Sequence, residues 1–126
     1  MTFDWTEFLK LARELQERAD EAGLPFAPEA AKRTAVSRAY YAAFCHARNY
    51  AERRLGFQPS GSGQDHGSLR TFFRQQYDDV FEEVAARLDE ARAWRNQCDY
   101  DDEVEELEAI VQNAIENAEF IIQQCR

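Results

Sequence analysis

The stretch PEAAKRTAVSRAYYAAFCHARNYAERRLG, residues 28–56, has no proline after its first position and no glycine before its last. Within it Val36, Tyr40, Phe44, Ala47, Ala51 and Leu55 recur at intervals of three and four, which puts them on one face of a helix. Pro28 suits a first turn, where its missing N–H costs nothing, and Gly56 suits a stop. The spacing predicts a single helix roughly 40 Å long.

Working outward, all five glycines and all three prolines fall between Gly23 and Gly67, in two clusters that flank this stretch. On the N-terminal side, Trp5, Phe8, Ala12, Leu15, Ala19 and Ala22 form a helical stripe, predicting a first helix that ends at Gly23. On the other side, Ser60–Gly63 has flexible-linker composition, and Asp65 is placed to cap a short third helix carrying Leu69, Phe72 and Phe73. The remaining 59 residues contain neither Gly nor Pro. One helix of that length would reach about 90 Å, so a turn must be hidden there. Cys98-Asp99-Tyr100-Asp101-Asp102 is the best candidate, because its aspartates favour a turn and then suit the start of a helix. This predicts a fourth helix over about 79–98, with Val80, Val84, Leu88, Ala91 and Arg95 on its inner stripe. A fifth follows over about 103–125, with Val104, Leu107, Val111, Ala114, Ala118, Ile121 and Cys125. Ile110, Ile115 and Ile122 widen that last stripe, as for a central helix or an oligomer contact. The expected fold is all-α: an up-and-down bundle of four long helices with one short insertion, a single domain over residues 1–126.

At 14.6 kDa and 44% hydrophobic residues, the chain is long enough to bury a core without staples. Its longest uncharged apolar run, Ala39 to Cys45, is far short of the roughly 20 residues of a membrane span. The start through Phe3, Asp4 and Trp5 lacks the pattern of a signal peptide, so no membrane association and a cytoplasmic location are expected. Cys45, Cys98 and Cys125 are odd in number and widely spaced, as free thiols are. The net charge of −9 argues against nucleic-acid binding by the whole surface. That charge is uneven. Residues 28–57 carry six basic and two acidic side chains, whereas residues 99–126 carry one basic and nine acidic. An anionic ligand is therefore expected beside the first segment.

Arg95 ends the apolar stripe of the fourth helix, and a guanidinium there needs a reason. The structural explanation is an i,i+4 pair with Asp99. The functional one is a polar notch where Arg95, Asn96 and Tyr100 converge and the arginine meets phosphate. The second helix offers Arg38, Tyr41, Cys45 and Arg48 away from its apolar face, as either tight packing with a solvated basic side or a face for a partner subunit and an anionic ligand. His46 reads as a partly buried surface residue. His66, where the glycine-rich loop meets the third helix, could cap structure or contact a ligand. No metal-ligand spacing, Walker loop, GxSxG or dinucleotide fingerprint is present, so neither a metal nor a cofactor is expected.

The pair SRAYYAAF at 37–44 and RNQCDYDD at 95–102, with His66 opening the short third helix, resembles the HEPN family of small helical domains often encoded beside minimal nucleotidyltransferases. The similarity runs from about Trp5 to the end. It implies a homodimer with motif copies facing across the interface, a minimal nucleotidyltransferase as a possible antitoxin partner, and, in the active type, metal-independent endoribonuclease chemistry. Arg95 matches the motif arginine and Asn96 its polar neighbour, but Tyr100 stands where the family has histidine. A tyrosine with pKa near 10 is about one part in a thousand ionised at neutral pH, roughly 4 kcal/mol against its use as a base. It could still donate a hydrogen bond or proton to a leaving oxygen. Asp102 occupies the position of the tyrosine that is adenylylated in some HEPN toxins, so that mode of silencing does not carry over. Three functions stay open: an RNA-cleaving or RNA-binding toxin built on Arg95, Asn96 and Tyr100; a non-catalytic module that binds a nucleotide or a nucleotidyltransferase; and a scaffolding dimer. Arg38, Tyr41, Arg48, His66 and Asp99 are the candidate ligand contacts.

Overall fold

The computed structural model describes residues 2–126 and is all-helical among them: α1 Glu7–Arg18, α2 Pro28–Leu55, α3 Asp65–Arg74, α4 Asp79–Tyr100 and α5 Leu107–Gln124. Long-range side-chain bonds set the directions. Lys32 reaches both Asp20 and Glu108, and His46 Nε2 lies 2.8 Å from the Cys125 carbonyl, so α2 runs antiparallel to α1 and parallel to α5. Arg33 near the start of α2 donates to the carbonyls of Cys98 in the last turn of α4 and Asp102 past its end, and Arg87 on α4 donates to Asn117 on α5. The four long helices alternate up and down, and α3 packs on α4.

The central helix is α2, not α5 as the wide isoleucine stripe suggested. It packs on α1, α4 and α5 together, and Ala31, Ala35, Ala39, Ala42, Ala43, Ala47 and Ala51 are all buried along it. Small side chains let three neighbours approach one axis. Tyr40, Val36 and Phe44 fill the layers between them. The stripe of α5 is consumed within the chain, with Ile115, Ile121 and Ile122 buried and Ile110 half-buried.

Several boundaries move. α1 stops at Arg18; Ala19 is buried just past its end, while Ala22 is exposed. α4 runs two residues past Cys98, because Arg33 accepts the duty of a cap: its guanidinium binds the carbonyls of Cys98, Asp101 and Asp102, which a helix end leaves without partners. α5 starts only at Leu107, after Glu106 in the left-handed region (φ 58°), so Val104 lies in the connection. Val80 is 44% exposed, which removes it from the inner stripe of α4. Asp65 does not cap α3 from outside. It is the first helical residue, and its carboxylate accepts from Ser60 N, Ser60 Oγ and Gly61 N. Those bonds stabilise the charged carboxylate, hold its pKa below the usual range and organise the Ser60–Gly63 turn. None of the described helices is long and apolar enough to cross a membrane.

Candidate functional site

The last turn of α4 and the first half of α2 meet at a cluster of polar and aromatic side chains. Arg95 projects from α4 with its side chain only 16% exposed. Its Nε donates to Asp99 Oδ2 at 2.9 Å and its Nη1 to Asn96 Oδ1 at 3.0 Å, while Nη2 has no protein partner among the described residues. The Arg95–Asp99 pair expected at i,i+4 is thus present. From α2, Ser37 Oγ donates to the same Asp99 oxygen at 3.4 Å, which ties the pair to the central helix.

Aromatic rings wall the guanidinium. Its carbon lies 5.1 Å from the centre of the Tyr41 ring and 5.6 Å from that of Tyr100. Tyr41 also carries Arg38 at 5.1 Å, so one ring serves two cations. Tyr100 is 72% exposed and closes the cluster only from outside.

His66 borders this group through Tyr41, whose ring meets it edge-on at 6.2 Å. The imidazole stacks on Phe44 at 4.2 Å, and its Nδ1 is hydrogen-bonded to the hydroxyl of the buried Tyr40. Burial, and then the charges of Arg92, Arg95 and Arg70, hold His66 below the ordinary histidine range, so it is neutral at pH 7. Burial also raises the Tyr40 hydroxyl, which stays protonated. Donation from Tyr40 to Nδ1 satisfies both groups and leaves the His66 proton on Nε2.

The structure therefore gathers Arg95, Asn96, Asp99, Tyr100, Tyr41, Arg38 and His66 into one neighbourhood. Arg48 stands apart: its guanidinium donates to Asn49 and lies 5.9 Å from the rings of Trp5 and Phe44. Sequence reasoning passed over Ser37, Arg70, Arg74 and Arg92. The signal for Arg92 was its i,i+3 spacing from Arg95, and for Arg70 and Arg74 their i,i+4 spacing on α3.

The six basic side chains of residues 28–57 divide into engaged and free ones. Within residues 28–57, Lys32 is engaged by Asp20 and Glu108, and Arg33 by the end of α4. Arg38, Arg48, Arg53 and Arg54 of the same segment have no ion-pair partner among the described residues, and a second group of guanidinium groups, Arg70, Arg74 and Arg92, lies between α3 and α4 around the single carboxylate of Asp89. No cluster of metal-ligating side chains occurs among the described residues, and the three cysteines are separate and buried. Burial pushes Cys98 up to about 11 and Cys125 up to about 12, and also raises Cys45, so none is an activated thiol.

No family model, curated protein or solved structure matches the chain.

Proposed function

We propose that this protein is a HEPN-type toxin or defence protein that acts on RNA as a homodimer, cutting it without a metal. Arg95, Asn96 and Tyr100 of each copy would line the shared cleft. The observation that supports this reading is the state of Arg95: a largely buried guanidinium, aimed by Asp99 and Asn96, walled by two tyrosines, and with one nitrogen unspent.

In the proposed reaction the ribose 2′-hydroxyl gives its proton to solvent water as its oxygen bonds to the adjacent phosphorus, the bond to the 5′-oxygen breaks, and a 2′,3′-cyclic phosphate is left. Arg95 Nη2 meets the negative charge that grows on the phosphoryl oxygens, where a preorganised donor in a half-buried site acts most strongly. Tyr100, exposed at the end of α4, donates its phenolic proton to the departing 5′-oxygen and regains one from solvent. A cytoplasmic setting and a minimal nucleotidyltransferase partner belong to the same proposal. So does the dimer, which rests on the resemblance because the apolar stripe of α5 is spent inside the chain.

The test is cleavage of total RNA in excess EDTA by the wild type, Arg95→Ala and Tyr100→Phe. Cutting that both substitutions abolish supports the reading; no cutting by the wild type overturns it. The replacement of the motif histidine by Tyr100 favours a second reading, a non-catalytic module for a nucleotide or a nucleotidyltransferase. A rise in melting temperature with ATP but not with RNA would select it.

A further inference from the structure

Between α3 and α4 lies an open cleft of about 850 Å³ lined by Arg70, Arg74, Arg92, Ser68, Thr71 and Gln75. Three guanidinium groups share one carboxylate there. Asp89 takes both Arg70 Nε and an Arg74 terminal nitrogen, so it is committed before Arg92 is considered. Arg70 also donates to the His66 carbonyl at 2.8 Å. Arg92 has no ion-pair partner among the described residues, and its Nε is buried with no hydrogen-bond acceptor. An unmatched buried donor on a cation is costly, and a bound anion would remove the cost. The neighbouring imidazole adds no negative charge, since its one anchor is the neutral Tyr40 hydroxyl.

We propose that this cleft is a phosphate-binding subsite in which Arg92, flanked by Arg70 and Arg74, holds a backbone phosphate of single-stranded RNA next to the one at Arg95. The placement follows from α4, where residues 92 and 95 are neighbours on one surface. Phe72 lines the same cleft, giving an unstacked base an apolar surface beside the charge. The subsite deepens the RNA reading and depends on it only for the source of the phosphate.

Two arms test it. In the first, the full chain is titrated with inorganic phosphate while the ring proton signals of its two histidines are followed by NMR. Phosphate is expected to move the His66 signal and leave His46 in place, and Arg92→Gln is expected to abolish the movement. In the second, a fluorescent 2′-O-methyl RNA strand, which cannot be cut through its 2′-oxygen, is bound in EDTA over a series of salt concentrations. Arg92→Gln is expected to reduce the slope of log affinity on log salt by about 0.7, the loss of one phosphate contact. The exposed Arg54→Gln serves as a control, Arg92→Lys should restore part of the slope, and melting curves confirm folding.

A wild-type His66 signal indifferent to phosphate, together with unchanged salt slopes in Arg92→Gln, would overturn the subsite even if the protein cuts RNA. Phosphate binding that depends on Arg92, without affinity for the RNA strand, would keep the anion site and assign it to a small phosphorylated compound, against the RNA source proposed. Arg92-dependent binding of both, with no cleavage of ordinary RNA, would support the subsite while the ribonuclease reading failed.

Discussion

At the C-terminal end of α4 the arginines are nearly all spoken for: Arg33 binds three carbonyl oxygens, and Arg95 binds Asp99 and Asn96. Along the preceding turns of the same helix, the cleft against α3 holds three guanidinium groups for one carboxylate, and Arg92 is left without an acceptor. One end uses arginine to finish a helix. The other keeps a cation whose partner is not in the fold, so similar side chains a few residues apart contribute oppositely to stability and to binding.

The contrast breaks most readily at Arg33. Arg33→Met should cost about 2–3 kcal/mol, because the carbonyls at the end of α4 lose a charged donor and nothing nearby replaces it. Urea denaturation would show this as a lower midpoint with an unchanged slope; a loss below about 0.5 kcal/mol would mean water caps the end equally well. Arg95→Met should cost less, about 0.5–1.5 kcal/mol, since only its hydrogen bonds to the Asp99 and Asn96 side chains are lost. Arg92→Met should be neutral or stabilising, because an apolar side chain of similar length removes a buried donor that has no partner. A loss comparable to Arg33→Met would show that Arg92 is held by the fold after all, and would erase the difference between the two regions.

The smallest effect is in protonation. His66 should titrate below 6.5 by NMR, and Arg92→Gln should move its midpoint upward by removing a neighbouring positive charge. For a histidine whose folded pKa is depressed, the associated stability is complete above about pH 6.5 and is lost as pH falls through the folded value. The melting temperature should therefore begin to drop below pH 6.5 in the wild type, and less so in His66→Gln. The deletion of His66 should leave the drop due to Asp65, which lies at lower pH because its carboxyl is held below the usual range.

The helices were legible because Gly and Pro mark the two breaks and the apolar period carries through the rest. That a turn interrupts the last 59 residues was legible from helix length, and its place near Asp101 from the run of aspartates. What periodicity could not show was which helix is central. The alanines of α2 look unremarkable beside the isoleucines of α5, yet small residues mark the place where three helices crowd one axis. The cluster around Arg95 could be read because its members follow one another in the chain and share a helix turn. The α3–α4 cleft could not, since its excess of charge exists only after Asp89 has been claimed from α3 by Arg70 and Arg74. Net charge by segment counted Lys32 and Arg33 among the free cations of residues 28–57, because it cannot see that packing consumes both.

The placement of α2 also bears on how the chain is made. Its last partner, α5, ends about seventy residues after α2 does. At ~5–20 residues per second, α2 would wait for roughly 3–14 s before its cover is complete, with only α1 against it at first and α4 joining before α5. A newborn chain of this protein should therefore lean on the ribosome surface or a holding chaperone until α5 emerges, and synthesis stalled between residues 60 and 105 should release aggregation-prone fragments.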